Sequence, residues 1–307
     1  MWTDSTKPYP FDTHPLDVVS CIWNGRNDTF PGPQPCSIER LNFKSLQDNP
    51  YFVCDKTDGV RHAFICCDVD NKHIACTMNR QLDCRIMNLK LPRQCTKGTV
   101  LDGEIIQRSD GQWIFLVYDC VAMCGRPTLS FPFQERMSYA DTFINSYKES
   151  IGDALVFQKK MFFPLQNISA FLNIEKAYNT DGVIIIPAND PIKTNSHFNY
   201  FKLKNGHENT VDFAIDNNCS LFLQQKGLFK KTMNIVRDSS ASGIPRNVSS
   251  GSDLYAIVEC SFIKNKEWTV KMHRPDKTMP NSLYTHKKTM LNIKENIQTS
   301  ELQSLFT

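Results

Sequence analysis

Lys56-Thr57-Asp58-Gly59-Val60-Arg61 is the stretch on which the reading of this chain turns. It joins two runs of strand type, Tyr51–Cys54 and Val60–Cys67, rich in Val, Ile, Phe and Tyr. Its glycine suits a tight turn. A lysine in that position projects toward whatever cleft the two strands line. Taken alone, the hexapeptide is equally a solvent-exposed hairpin.

Working outward, acidic groups recur on strand-type runs. Leu101-Asp102-Gly103-Glu104-Ile105-Ile106 sets two carboxylates two positions apart, so both face one side of a strand. Thr180-Asp181-Gly182-Val183-Ile184-Ile185 places another carboxylate just before an apolar run. Phe201-Lys202-Leu203-Lys204 alternates, with both lysines on one face and Phe201 and Leu203 on the other. That alternation also fits an edge strand with its charge turned outward. Asn209-Thr210-Val211-Asp212-Phe213 follows, then His273-Arg274-Pro275-Asp276-Lys277 and Pro280-Asn281.

The rest of the chain frames these motifs. At 307 residues there is room for two domains of the usual ~100–200 residues. Hydrophobic content of 41% with 22% charged residues excludes wholesale disorder and fibrous repeats. Net charge is only +3, so any contact with nucleic acid must come from local patches. Residues 201–290 hold 14 Lys/Arg against 8 Asp/Glu, a net +6, while residues 1–200 hold 20 against 22, a net −2. The positive excess therefore sits in the C-terminal third. It is either a solvated lysine surface or one that meets phosphates.

Of twelve cysteines, ten precede residue 125 and none forms a Cys-x-x-Cys pair. With no apolar signal core in Met1–Pro10 and no apolar run of ~20 residues, they read as reduced, mostly buried thiols of an intracellular protein with no membrane span. A zinc site built from them stays open as an alternative.

Thr99–Gln107, Trp113–Val121 and Gly182–Pro187 continue the strand pattern, and Phe133–Ser150 and Ile168–Tyr178 read as helices, an α+β body. The first ~50 residues, punctuated by prolines, read as loops with short elements. Beyond Asn209, five short strand candidates (Thr210–Ile215, Ser220–Gln224, Thr232–Val236, Leu254–Phe262 and Glu267–Met272) have the size of an OB-type barrel, with the polar loop Ser239–Ser252 inside it. Met290, Ile293, Ile297 and Leu305 fall at helical spacing in the tail.

The order and spacing of these motifs resemble the covalent nucleotidyltransferases, the superfamily of mRNA capping guanylyltransferases and ATP-dependent polynucleotide ligases. K-T-D-G-V-R matches the nucleophile motif K-x-D-G-x-R. L-D-G-E, F-L-V-Y-D-C-V, T-D-G-V-I-I and F-K-L-K match the motifs that follow it. N-T-V-D-F, R-P-D-K and P-N resemble the capping versions. Phe30–Arg40 and the tail 288–297 are similar to the small capping enzymes of chlorella-infecting large DNA viruses. The resemblance implies an α+β nucleotidyltransferase domain with antiparallel sheets over 1–208, and a C-terminal OB-fold β-barrel lid domain over 209–285. Helices in 286–307 are expected to pack back on the first domain, and a hinge is expected near Gly206–Asn209.

The activity implied is guanylyl transfer from GTP to the 5′-diphosphate end of RNA through a lysine–GMP intermediate. Lys56 matches the nucleophile. Its amine must be neutral at attack, which the implied neighbours Arg61, Lys202 and Lys204 would favour while also drawing charge off the triphosphate. Glu104, Asp181 and Asp212 are hard oxygen donors suited to Mg²⁺ or Mn²⁺, and Glu104 could instead hold the ribose. Asp58 supports the turn or orients Lys56. Tyr118 matches the aromatic that stacks on the base, Ile184 its opposite face, Lys160 a base-contacting lysine and Arg80 a sugar- or phosphate-contacting arginine. Asn79 stands where relatives often carry Asp. Arg274, Asp276 and Lys277 match a motif that meets the β- and γ-phosphates.

The chain length implies that RNA triphosphatase and cap methyltransferase activities reside on separate polypeptides. The implied setting is a virus-encoded enzyme in host nucleus, cytoplasm or virion. An ATP-dependent ligase with the same lysine chemistry is the alternative enzyme, and a nucleotide- or RNA-binding module the non-enzymatic one.

Overall fold

The computed structural model describes residues 7–147, 155–193, 195–204, 209–236 and 256–306. Contacts divide the chain into two compact units. The first runs to Cys36 and from Lys44 to Lys202. The second runs from Leu203 to Leu305 and includes Ser37–Phe43.

The first unit is built on two sheets. The larger takes the order β1 (Lys7–Pro8), β6 (Cys84–Ile86), β5 (Lys72–Met78), β4 (Val60–Val69), β7 (Lys97–Gln107), β8 (Trp113–Met123), β10 (Val156–Lys159), with β9 (Arg126–Pro127) paired to the end of β8. Its ladders are antiparallel except that between β8 and β10. The smaller sheet takes the order β11 (Phe163–Pro164), β3 (Tyr51–Thr57), β12 (Thr180–Pro187), β13 (Asn195–Leu203), β2 (Pro33–Ser37).

Strand β4 explains why the sequence ran apolar without a break. Phe64 and Cys66 face a core completed by Phe133, Met137, Ala140 and Phe143 of helix α3 (Phe133–Ser146). Ala63, Ile65 and Cys67 face a second core with Leu16 and Val19 of helix α1 (Pro15–Val19). A strand covered on both faces needs apolar residues at every position rather than at every other one. Buried cysteines serve as small packing groups here. All twelve are free thiols, and burial pushes Cys54 and Cys67 up to about 12, which keeps them protonated.

Several expected boundaries moved, each for a local reason. Strand β5 was not foreseen. It follows β4 through Asp70 and Asn71, both at positive φ (50° and 61°), the backbone of a two-residue hairpin turn. Helix α2 (Phe43–Asp48) lies inside the proline-punctuated opening segment. The helix expected over 168–178 stops early, as α4 (Ile168–Leu172). Lys176 turns back to donate to the Phe171 carbonyl at 2.9 Å and to pair with Asp55 at 3.1 Å, so that segment caps the helix instead of extending it.

Helix α3 is tied to the large sheet by a buried ion pair. Arg136 donates from Nε and Nη2 to the Asp119 carboxylate at 2.8 and 3.0 Å, and from Nη1 to the Phe131 carbonyl at 2.6 Å. Both side chains are essentially inaccessible. Removing one partner strands the other charge in the interior. Asp119→Ala is therefore expected to cost about 3–5 kcal/mol, read as a lower urea midpoint. An unchanged midpoint would contradict this account of the pair.

The second unit is a closed barrel in the order β14 (Thr210–Ile215), β15 (Ser220–Gln225), β16 (Leu228–Val236), β18 (Glu267–His273), β17 (Ala256–Lys264). Five strands closing in this order are the architecture expected for residues 209–285. Phe213, Leu221, Leu223, Val258, Cys260 and Trp268 fill its interior. Helices α5 (Leu283–Glu295) and α6 (Thr299–Ser304) group with this unit. Glu39 and Arg40 of the short N-terminal segment join them through Lys288–Glu39 (2.6 Å) and an Arg40–Glu301 pair. The expected hinge falls largely on residues 205–208, and the polar loop 239–252 falls within 237–255. Both lie outside the described residues.

Candidate active site

Lys56 is the penultimate residue of β3, and its neighbours come from adjoining strands. Its Nζ donates to Asp181 Oδ1 at 2.6 Å, both side chains being roughly one-fifth exposed. A bulge brings Asp181 there. Between Thr180↔Thr57 and Val183↔Asp55 the strand β12 carries one extra residue, and Gly182 in that bulge adopts φ 142°, a conformation that disfavours side chains. The D-G pair thus re-aims a carboxylate at the lysine. Asp181 is thus a charged partner of Lys56 within hydrogen-bond reach.

After Thr57 the chain turns into β4 over a surface that leaves no room for a side chain. A Cβ on Gly59 would lie 2.6–2.8 Å from Ile106, Glu104 and the Ile105 carbonyl of β7. That contact explains the glycine of K-T-D-G-V-R and sets Glu104 beside the turn. Asp58 is exposed there, its amide donating to the Asn179 carbonyl at 3.0 Å.

Arg61, Asp102 and Glu104 share one face of the β4–β7 pair. Arg61 donates Nε and Nη2 to Asp102 at 3.0 and 2.5 Å, and Nη1 to the Pro33 carbonyl at 2.7 Å. Its guanidinium lies 5.0 Å from the Phe30 ring centre and 5.5 Å from that of Tyr118. Burial works against its charge, but the fully buried Asp102 outweighs it and holds the proton more tightly. Asp102 was read only as a same-face partner of Glu104. The parity that put them together was the available signal, and its meaning is that Asp102 fixes Arg61.

Tyr118 also stands in a bulge. Asp102 pairs with Asp119 and Gly103 with Val117, so Tyr118 is the extra residue of β8. Lys160, just past β10, donates its amide to the Val117 carbonyl at 2.9 Å. Its largely buried Nζ donates to Thr57 Oγ1, lies 3.7 Å from Glu104 and is 5.6 Å from the Tyr118 ring centre. A phenol ring, a lysine and a carboxylate therefore converge a few ångströms from the K-T-D-G turn. Thr57 and Phe30 were not foreseen as members of this cluster.

The other residues read from the sequence lie on neighbouring elements of the chain. Ile184 lies on β12 opposite Cys54 and packs on the main core. Lys202 on β13, half-buried, and Lys204 just beyond the strand keep the expected alternation with buried Phe201 and Leu203. Arg80 sits in the turn after β5, its pKa lowered by partial burial and by the like charge of Arg61. Asn79 accepts from the Gln81 and Asp83 amides at 2.9 Å and donates to Asp83 Oδ2 at 3.0 Å. It organises the turn that a salt bridge would otherwise hold.

In the second unit the other motifs converge on Asp212. Lys277 Nζ donates to Asp212 Oδ2, with Arg274 Nη1 at 3.4 Å from Oδ1 and Asn281 Nδ2 at 3.3 Å from Oδ2. Asn281 also exchanges bonds with the Asp212 backbone at 2.8 and 3.0 Å. Arg274 reaches Glu259 at 2.9 Å and makes a fork to Asp276 at 2.9 and 2.7 Å. That fork holds the Asp276 carboxyl down at about 2.

Among the described residues no group of three or more His, Cys, Asp or Glu side chains gathers as a metal cage. Glu104 and Asp181 offer hard oxygens on either side of the Lys56 turn. One or two carboxylates completed by substrate phosphate oxygens is how Mg²⁺ is commonly held, so the donor set suits that ion. No helix among the described residues is long and apolar enough to cross a membrane.

The profile described as "mRNA capping enzyme, catalytic domain" matches residues 14–206, and that described as "mRNA capping enzyme, C-terminal domain" matches residues 195–303. A relative from Neurospora crassa named "mRNA-capping enzyme subunit alpha" is 22% identical across 91% of this chain and 84% of its own length. A Danio rerio "mRNA-capping enzyme" is 27% identical across 83% of this chain. The chain spans 46% of that protein's length. Among solved structures, a mycobacterial DNA ligase D complexed with ATP is similar at TM-score 0.44 and 15% identity, covering 80% of this chain and 94% of that one. The two profiles together take in the Lys56 cluster and the barrel motif in the order found here, and the chain belongs to the mRNA capping enzyme family.

Proposed function

We propose that this chain is a GTP:RNA guanylyltransferase. The observation that carries the reading is Lys56 at the end of β3, held by Asp181 beside the Glu104–Lys160–Tyr118 cluster. In the first step Lys56 Nζ forms a bond to the α-phosphorus of GTP while the bond to the β-phosphate oxygen breaks, releasing pyrophosphate. In the second, a terminal oxygen of a 5′-diphosphate RNA attacks the same phosphorus. The P–N bond breaks and the lysine recovers its proton, giving GpppN-RNA.

Each neighbour has a task in that scheme. An ammonium donating to Asp181 has no lone pair, so that ion pair must open and shed a proton before attack. Tyr118 offers its ring to guanine, with Ile184 on the opposite face. Lys160 is placed to meet the base edge. Arg61, locked by Asp102, gives the site a rigid floor and keeps its charge. Arg80, Lys202 and Lys204 would neutralise sugar-phosphate charge, and Arg274, Asp276 and Lys277 would meet the β- and γ-phosphates as the leaving group forms. Glu104 and Asp181 would hold Mg²⁺ or Mn²⁺, which when bound draws charge from the phosphate oxygens. Asp58 supports the turn. In this reading Asp212 anchors the barrel motif and is not a metal donor, because its carboxylate already takes donors from Lys277, Arg274 and Asn281.

The functional division into 1–208 and 209–285, with movement between them, belongs to the same proposal. So does a reducing intracellular setting, which the twelve free thiols support.

Incubation with α-labelled GTP and Mg²⁺ or Mn²⁺ is expected to label the protein covalently, and a chase with 5′-diphosphate RNA is expected to move the label into capped RNA. Label from ATP in place of GTP would overturn the guanylyl reading.

A further inference from the structure

The barrel carries a cavity of about 460 Å³ lined by residues that the guanylyl scheme does not use. Its walls are apolar: Leu223 from β15, Met233 from β16, Phe262 from β17, and Leu283 and Met290 from α5. Lys230, Lys231 and Lys266 stand at its margin. None of these lysines is ion-paired with a carboxylate among the described residues.

The cavity lies where β16 diverges from β18. The two strands pair only at Ile235 and Val236, so the edge of Leu228–Asn234 away from β15 has no strand partner among the described residues. That same strand exposes Leu228 (74%), Met233 (75%) and Ile235 (60%). Met233 lines the cavity itself, and Leu228 and Ile235 add two more exposed aliphatic side chains along the same strand, a costly surface for a protein to leave bare.

We propose that this face docks a peptide segment of a partner protein, one large apolar side chain entering the cavity and flanking acidic residues meeting Lys230, Lys231 and Lys266. The chemistry of the surface selects the occupant. Apolar walls and a free strand edge match an extended peptide, which can add backbone hydrogen bonds to β16 while placing alternate side chains in the cavity. The lysines demand negative charge on either side of the apolar anchor. Single-stranded RNA would meet the same lysines, but among the described residues Phe262 is the only aromatic wall besides the half-buried His286, and exposed aliphatics give bases little to stack on. The proposal is independent of the guanylyl reading, since no residue of this face belongs to the Lys56 cluster or to the Asp212 anchor.

A displayed library of random dodecapeptides selected on the full chain tests it. Enrichment of peptides with one or two large apolar residues flanked by Asp or Glu is expected. Synthetic versions of the enriched peptides should bind at least about tenfold more weakly to Met233→Asp and to the Lys230→Glu/Lys231→Glu double variant. The far-ultraviolet circular dichroism and urea midpoints of those variants should match those of the parent chain, which shows that they remain folded. Several outcomes would overturn the proposal. Equal enrichment on parent and variants, or none on either, would do so. So would enriched peptides that bind the variants as well as the parent. Tight binding of a labelled 5′-hydroxyl oligouridylate, lost in Met233→Asp without any peptide enrichment, would assign the face to RNA. Enrichment that emerges only after residues 237–255 are deleted would mean that the chain's own segment fills the cavity.

Discussion

Lys56→Ala is expected to abolish covalent labelling by GTP, a loss of at least about 10⁴-fold that reaches the background of the assay. No P–N bond can form without the amine, and the lysines nearby are otherwise committed. Lys160 is tied to Thr57 and Glu104, and Lys176 to Asp55 and the Phe171 carbonyl. Lys56→Arg should fail as completely, because a guanidinium stays protonated at any workable pH and offers no lone pair. The control is binding. Either variant should still quench the fluorescence of a labelled GTP analogue, since Tyr118, Lys160 and the Arg61–Asp102 pair remain in place. The adduct on the parent chain should be released by acid and survive alkali, as a phosphoramidate does. Persistent labelling of Lys56→Ala would move the nucleophile elsewhere.

Much of this site was legible because its chemistry is written in short, ordered segments. K-T-D-G-V-R, L-D-G-E and T-D-G-V-I-I each combine a reactive side chain with the glycine that local backbone geometry requires. The barrel strands were equally readable, since in β15, β16 and β18 one face is largely solvated and alternation survives. What escaped the sequence depends on register. Nothing in F-L-V-Y-D-C-V says that Tyr118 is the unpaired residue of a bulge, and that detail aims its ring at Arg61 and Lys160. Nor does it say that Asp119 reaches a helix to hold Arg136. Strands β5, β6 and β10 were missed because burial on both faces in β5 and short length in β6 and β10 remove or truncate the alternation by which strands are recognised.

The barrel motif offers the other large effect. Arg274→Ala and Asp212→Ala are each expected to slow lysyl–GMP formation about 10²-fold or more, because cations aimed at a departing pyrophosphate stabilise charge that appears only in the transition state. The two substitutions should not add. If Asp212 works by holding Arg274 and Lys277 in place, its loss costs little more once those cations are gone. Asp212→Ala in an Arg274→Ala/Lys277→Ala background should then be nearly neutral. A metal-ligating Asp212 makes the opposite prediction, a full additional loss together with a raised requirement for Mg²⁺ or Mn²⁺. The barrel should survive the test, since Lys277 and Arg274 are 34% and 23% exposed and can turn to solvent when their carboxylate is removed. The measurement is single-turnover labelling across a divalent-ion titration, with circular dichroism confirming the fold of each variant. A cycle that closes with no interaction between these positions would contradict the anchor role of Asp212, and an accompanying shift in metal requirement would return it to the metal site.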